Sequence, residues 1–494
     1  MMTTRLDHFI GGEHRAPADG EYLESTNPAT LETLYSFARG TGADIAQAVE
    51  AAQRVFDSTA WQRTTPTQRG HLLRRFGDLI GQNAEELARF ESQDNGKLLR
   101  EMKGQLQGLP EYLYYYAGLA DKVQGSQIPT NSPEVINFTQ REALGVVGLI
   151  TPWNSPMTLT ISKLAPALAA GNTTVIKPSE YTSRTILRLA ELADEAGFPA
   201  GAVNVVTGLG AEAGQALVDA PQLAKISFTG STQTGSAIAK SAAGRFIGST
   251  LELGGKSPNI VFDDANVSNA AMGVIAGIFA AAGQTCIAGS RVFVQRGVYD
   301  ELLEKVTARA ASIVIGDPMA EDTELGPLAF AAQRDKVEEY VRLGEEEGGQ
   351  IAYGGNRPDV GLPGYFFEPT VLTETTNDMR ICQEEIFGPV AAIMPFDTEE
   401  EVLGLANDTE YGLAAGVWTQ NLARGMRMSQ RLDAGTVWIN MYRAMSPMSP
   451  RQGFKNSGVG VEHGLESMHE YTRLKSVWIN TDEGPVADPF VLGR

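Results

Sequence analysis

Cysteine is almost missing: the 494-residue chain holds two, Cys286 and Cys382. No disulfide framework can be built from them, and a reducing, cytoplasmic setting is the expectation. Histidine is scarce as well, at His8, His14, His71, His463 and His469. None stands at ligand spacing from either cysteine, so no metal site is expected. Positive charge is in deficit, with 40 basic against 60 acidic residues and a net charge of -20. That surplus opposes a polyanion, so a nucleic-acid partner is not expected. Long apolar runs are missing too. The longest, Ala270–Gly283, falls short of the ~20 residues of a membrane span, so a membrane partner is not expected. The opening MMTTRLDHFIGGEHR lacks the apolar core of a secretory signal.

What is present is a long chain of ordinary apolar content, with room for two or three domains at roughly 100–200 residues each. The N-terminal part reads helical. Ile45, Val49, Ala52 and Phe56 recur on one face of 43–58, and further helices are expected over 69–91 and through Tyr112–Tyr116, whose tyrosines read as core packing. From residue 144 strands and helices alternate: strands at 145–150, 173–177, 202–206 and 223–228, with helices at 155–170, 182–197, 211–220 and 231–243 between and after them. Alternation at this spacing implies parallel pairing by right-handed crossovers, a doubly wound, Rossmann-like α/β unit. A second alternating region follows, with strands at 259–262, 291–295, 390–396, 416–419 and 436–440 and helices at 267–282, 299–314 and 333–347. Two stretches, 135–141 and 474–480, read as isolated strands with open edges, which invite pairing with another chain.

Several turns of this pattern could carry chemistry, and each has an ordinary reading beside it. Gly208-Leu-Gly210-Ala-Glu-Ala-Gly214 is one residue off the dinucleotide fingerprint. Gly230-Ser231-Thr-Gln-Thr-Gly235 presents backbone amides at a helix start, where an anion could sit; both are also plain turn glycines. Lys177-Pro-Ser-Glu180 closes the second strand, where an acid commonly takes ribose hydroxyls; alone, its charges read as solvated. Glu252-Leu-Gly-Gly-Lys-Ser-Pro-Asn259 pairs a carboxylate, a base or a capped acid, with glycines that let a ligand approach. Cys286, in Gly283-Gln-Thr-Cys-Ile-Ala-Gly-Ser290, lies between glycines beyond an apolar helix. It is either an inert core thiol or a nucleophile. Cys382 has neither feature and reads as structural. Asn154, in Pro152-Trp-Asn-Ser-Pro156 at the carboxyl edge of the first wound strand, is a turn residue or an oxyanion donor.

Taken in order, these segments, together with Phe228-Thr-Gly-Ser-Thr and Glu384-Glu-Ile-Phe-Gly-Pro, resemble the NAD(P)-dependent aldehyde dehydrogenase superfamily over nearly the whole chain. The resemblance implies a Rossmann-like NAD-binding domain (1–125 and 144–253), an α/β catalytic domain (254–458) and a small β oligomerisation arm (126–143 and 472–494), in a homodimer or homotetramer. It implies that Cys286 attacks an aldehyde, that Asn154 and the Cys286 amide hold the oxyanion, and that Glu252 activates the water that hydrolyses the thioester. For NAD it implies Lys177, Ser179 and Glu180 at the adenosine ribose and Gly210 by the adenine. Trp153, Gly230, Ser231, Gly235 and Leu253 fall at the cofactor, and Gln333, Lys336, Glu385 and Phe387 by the nicotinamide ribose. Glu180 favours NAD over NADP because it repels a 2′-phosphate, while Lys177 leaves NADP open. Ser155, Thr158, Ser162, Thr285, Ile287 and Arg443 are expected around the substrate, a polar aldehyde and by hypothesis a carboxylate-bearing one such as a semialdehyde. Glu252 favours hydrolysis over acyl transfer to coenzyme A.

The sequence departs from the family pattern at Pro450-Arg-Gln-Gly-Phe454, where Pro-Phe-Gly-Gly is usual, and at Val461, where arginine is usual. Both departures are expected to affect loop conformation and substrate entry, leaving the thiol and its base untouched. Two other classes stand beside the dehydrogenase: a non-catalytic protein on the same fold, and a thiol esterase independent of NAD.

Overall fold

The computed structural model describes residues 4–486 and 488–490. An eight-stranded sheet runs in the order Gly458–Val459, Gly248–Glu252, Leu223–Thr229, Val146–Ile150, Thr173–Lys177, Val203–Val205, His8–Ile10, Glu13–Arg15. Its five central strands are parallel, and the outer ones join antiparallel. Strands such as Val146–Ile150 and Thr173–Lys177 are buried along their whole length, as parallel strands covered by helices on both faces must be. From Val146–Ile150 the chain winds outward one way, then crosses back to Leu223–Thr229 on the other side. This reversal opens a crevice at the carboxyl ends of these two strands, the place where ligands of open α/β sheets bind.

The helix Pro156–Ala170 leaves that crevice. Proline at its first turn suits a helix start, and Gly171 at φ 97 ends it in the left-handed region. A seven-stranded sheet follows, in the order Gln350–Tyr353, Thr370–Thr373, Val390–Phe396, Arg291–Gln295, Pro258–Val261, Ala414–Trp418, Thr436–Ile439. All its pairs are parallel except the first. Apolar clusters cover both of its faces, one around Phe293, Val337 and Leu372 and the other around Val274, Val292 and Val306.

The two stretches expected to be isolated strands pair with each other. Val135–Ala143 and Thr472–Asn480 run antiparallel over their full length, with Gln127–Ile128 on the far side. Leu474, Trp478 and Ile479 stay exposed on the outer strand. The helix expected over 69–91 is two, Pro66–Gln82 and Ala84–Asn95, because Asn83 leaves helical geometry and caps the first through Nδ2 to the Leu79 carbonyl at 2.8 Å. The helix expected over 211–220 opens as a wide turn, Gly210–Gly214, before Gln215–Asp219. The strand Gly248–Glu252 was not expected, since its exposed, polar first half gives no apolar run.

Candidate active site

Cys286 is projected by a broken helix. The apolar helix Val267–Ile278 stops short of the expected residue 282, and Ala281, Ala282 and Gly283 then all take positive φ. For the two alanines this costs about 1–3 kcal/mol each, so the surrounding packing must impose it. Gly283 is required there: a Cβ would lie 2.0 Å from the Gly388 carbonyl oxygen. The chain therefore turns sharply and delivers Cys286 to the crevice. Gly255, just beyond the strand that carries Glu252, permits the approach from the other side, since its Cβ would lie 2.4 Å from the Cys286 carbonyl.

Two cavities meet at Cys286. One, of about 170 Å³, is lined by Trp153, Asn154, Gly230, Ser231, Leu253, Gln333, Lys336, Glu385 and Phe387. The other, of about 470 Å³, is lined by Asn154, Ser155, Thr158, Thr285, Ile287, Arg443 and Arg451, with Gln105, Glu111 and Tyr112 from the helix Leu99–Leu119. Asn154 and Cys286 belong to both. Asn154 is held by its Nδ2, which donates to the Gln284 carbonyl at 3.0 Å. The Cys286 amide donates to no carbonyl among the described residues, so it is available to an oxyanion.

The smaller cavity joins a buried acid, a lysine, an amide side chain and two aromatic rings. Glu385 accepts from the Gly255 amide at 3.2 Å, and burial raises its carboxyl. Lys336 donates to the Glu385 carbonyl at 2.7 Å, and Gln333 to those of Ile386 and Phe387 at 3.0 and 2.9 Å. These two side chains thus shape the 385–387 loop as well as line the cleft. Trp153 packs edge-on against Phe387 and Phe330. A further cavity of about 310 Å³ lies beyond, with Glu180, Tyr181, Leu209 and Phe330 in its wall. Lys177, buried and lowered in pKa by burial, meets Glu180 at 3.5 Å. Ser179 is buried beside them, and nothing lies within 4 Å of a Cβ built on Gly210, so a flat ring has room there. Gly235 sits against Leu253, whose Cδ2 would be 2.3 Å from its Cβ. The residues present fit NAD.

Ser162 does not reach the substrate cavity. It lies one turn deeper than Thr158 on Pro156–Ala170 and donates to the Leu159 carbonyl at 3.1 Å. Behind it Lys163 and Glu462 form a buried ion pair. Arg443 does line the cavity, with Nη1 donating to the Ala276 carbonyl at 3.1 Å. Lys97, which the sequence did not mark, donates to Ser155 Oγ at 2.8 Å, and burial lowers it to about 8. Tyr112 is at the cavity wall rather than wholly in the core, unlike Tyr116. No histidine lines either cavity among the described residues. No group of acids, histidines and cysteines among the described residues could hold a metal ion, and no described helix is long and apolar enough to cross a membrane.

The largest correction is Arg451. Expected to leave the thiol and base untouched, it contacts both: Nη2 is 3.2 Å from Cys286 Sγ, and Nε is 3.1 Å from Glu252 Oε2. The only sequence signal was a charge where the family pattern has an aromatic. Val461 lines neither cavity. Glu252 is buried at the end of its strand, and burial raises its carboxyl to about 7 against the pull of Arg451.

A crevice at a strand reversal, with a thiol at its floor and a second cleft beside it, is the setting of an α/β oxidoreductase. Residues 15–477 match the model of the aldehyde dehydrogenase family. An aldehyde dehydrogenase of Aspergillus niger is 43% identical, with 96% of this chain and 94% of that one aligned. The (Z)-2-((N-methylformamido)methylene)-5-hydroxybutyrolactone dehydrogenase of Acinetobacter baylyi is also 43% identical, over 95% and 96% of the two chains. The NAD+ complex of a Bacillus cereus aldehyde dehydrogenase superposes with a TM-score of 0.95 at 43% identity, covering 97% of each chain. The chain belongs to the aldehyde dehydrogenase family. It is an enzyme that oxidises an aldehyde to a carboxylic acid with NAD.

Proposed function

We propose that Cys286, Asn154 and Glu252 carry this oxidation, and that the substrate is an aldehyde bearing a carboxylate. The meeting of the two cavities at Cys286 carries the reading. An aldehyde enters through the larger one, and Sγ adds to its carbonyl carbon. The oxyanion takes hydrogen bonds from Asn154 Nδ2 and the Cys286 amide. Bound NAD supplies the hydride acceptor in the smaller cavity, where Glu385, Phe387, Gln333, Lys336, Trp153, Gly230, Ser231, Gly235 and Leu253 hold the nicotinamide end. Lys177, Ser179 and Glu180 hold the adenosine ribose beside Gly210, and the Glu180 carboxylate disfavours a 2′-phosphate. The product on Sγ is a thioester, and Glu252 takes a proton from the water that cleaves it. Asn154→Ala should lower turnover by about 10²–10³-fold, ~2.7–4 kcal/mol, at little change in NAD affinity. Rapid-mixing measurement of NADH formation checks it.

Arg443 supports the anionic substrate: its guanidinium lines the cavity, partnered there only by a backbone carbonyl among the described residues. A charge-assisted contact from it to a substrate carboxylate would select semialdehydes over neutral aldehydes. Thr158, Ser155, Thr285 and Ile287 line the remaining wall. A panel of aliphatic, aromatic and carboxylate-bearing aldehydes, followed as NADH, tests this. Arg443→Ala should cost about tenfold or more in kcat/KM for the anionic aldehydes, in line with ~1.5–3 kcal/mol for a hydrogen bond to a charged group, and spare the neutral ones. Equal losses for both would remove Arg443 from recognition.

Residues 1–125 with 144–253 and 254–458 are read as the NAD-binding and catalytic domains, and 126–143 with 472–494 as an arm. The open edge and exposed Leu474 and Trp478 of that arm support a homodimer or homotetramer. Two free thiols suit a reducing cytoplasm.

A further inference from the structure

We propose that Arg451 is a positioning residue for both half-reactions: one guanidinium is first shared between the Cys286 thiolate and Glu252 and then serves Glu252 alone. The role rests on Cys286 as nucleophile and Glu252 as base. Arg451 is buried and touches each of them through a different nitrogen. Its own position is fixed by backbone pairing with Glu462, a carbonyl and an amide exchanged at 2.6 and 2.9 Å.

The contact with Glu252 is a charge contact at 3.1 Å without hydrogen-bond alignment. Among the described residues, both carboxylate oxygens therefore remain without a donor, although fully buried. When ionised, a carboxylate so placed is free to accept a hydrogen bond from water. The groups facing the pair come from several elements. Cys286 is faced by Arg451, Glu252 and Glu385 and, from other elements, by Lys97, Tyr442 and Arg443, and Glu252 by Arg451, Glu462 and Lys163. Burial raises both acids, and Arg451 is the largest influence opposing it at each.

The charge sequence follows from the chemistry. At attack, the S–C bond forms from the thiolate, and the carbonyl electrons move to oxygen. Hydride leaves the same carbon for NAD, and a neutral thioester remains. Sulfur no longer carries charge, so the guanidinium belongs to Glu252 alone at the stage when that carboxylate must stay ionised to take a proton from water. Cleavage of the S–C bond releases the acid and restores the thiolate, and Arg451 is shared again.

The test uses the full-length enzyme with NAD bound. The rate of Cys286 alkylation by iodoacetamide is followed against pH in the wild type, Arg451→Gln, Arg451→Phe and Arg451→Lys. Loss of the charge should move the alkylation midpoint up by about 1–3 pH units, the usual effect of an opposite charge at this range. Arg451→Lys should restore most of it. The acid limb of steady-state turnover should move up in the same variants, because Glu252 then protonates at higher pH. Arg451→Phe fills the volume without charge, so it separates charge from packing; melting temperature and NAD affinity report the fold. Superposable alkylation profiles in wild type, Arg451→Gln and Arg451→Phe would overturn the proposal. Alkylation of a residue other than Cys286 in the wild type would overturn the nucleophile assignment and this role with it.

Discussion

Cys286→Ala should bind NAD with nearly wild-type affinity and form no NADH from any aldehyde. The thiol is a minor part of the cleft wall, whose shape is set by Trp153, Leu253, Glu385 and Phe387, so removing one sulfur leaves the cofactor's contacts in place. Chemistry has no substitute. Hydride departs readily only from a tetrahedral carbon with an ionised oxygen, and adding Sγ to the carbonyl is what creates that carbon. The second cysteine cannot replace it. Cys382 is fully buried among Ile381, Met394 and Val390, with its Sγ 4.0 Å from Met394 Sδ. Fluorescence titration with NAD and absorbance at 340 nm check the two halves of the expectation. Turnover by the alanine variant would exclude Cys286 as nucleophile.

Glu252→Gln should separate the two half-reactions. An amide keeps the volume of the buried carboxylate but takes no proton from water. Oxidation should therefore run once per active site, giving a burst of NADH, followed by steady-state turnover lowered by about 10²–10⁴-fold, the usual reach of a general base. The wild type has a related pH signature. Burial holds the Glu252 carboxyl at about 7, and only the ionised form is a base. Steady-state turnover should thus fall as pH drops through about 7; burial also raises the Cys286 thiol, so the burst should weaken toward acid pH as well. If Glu252→Gln abolishes the burst together with turnover, Glu252 acts before hydride transfer.

The parallel strands were legible because burial on both faces leaves an apolar run, as in Val146–Ile150, bounded by proline and threonine. Gly248–Glu252 was not, since it opens on Gly-Ser and only Leu251 of its five residues is apolar, although it carries the base. The break after Ile278 was hidden for a different reason. Ala281 and Ala282 are good helix formers by sequence, and tertiary packing forces them left-handed. Asn154, Glu252 and Cys286 could each be picked out by local context, but their convergence depends on two glycine-permitted approaches at residues 255 and 283. Arg451 lay furthest from reach. It is 165 residues from Cys286 in sequence, so no local pattern joins them. Ser162 shows the opposite error: helical spacing from Thr158 is right, but the cavity ends one turn short of it.

Catalysis turns on a covalent acyl group at one of two thiols. Glu252→Gln, mixed with NAD and an aldehyde and quenched in acid after the burst, should gain the mass of one acyl group per chain. After digestion that mass should sit on the peptide holding Cys286. An unmodified Cys286 peptide, or an acyl group on Cys382, would contradict it.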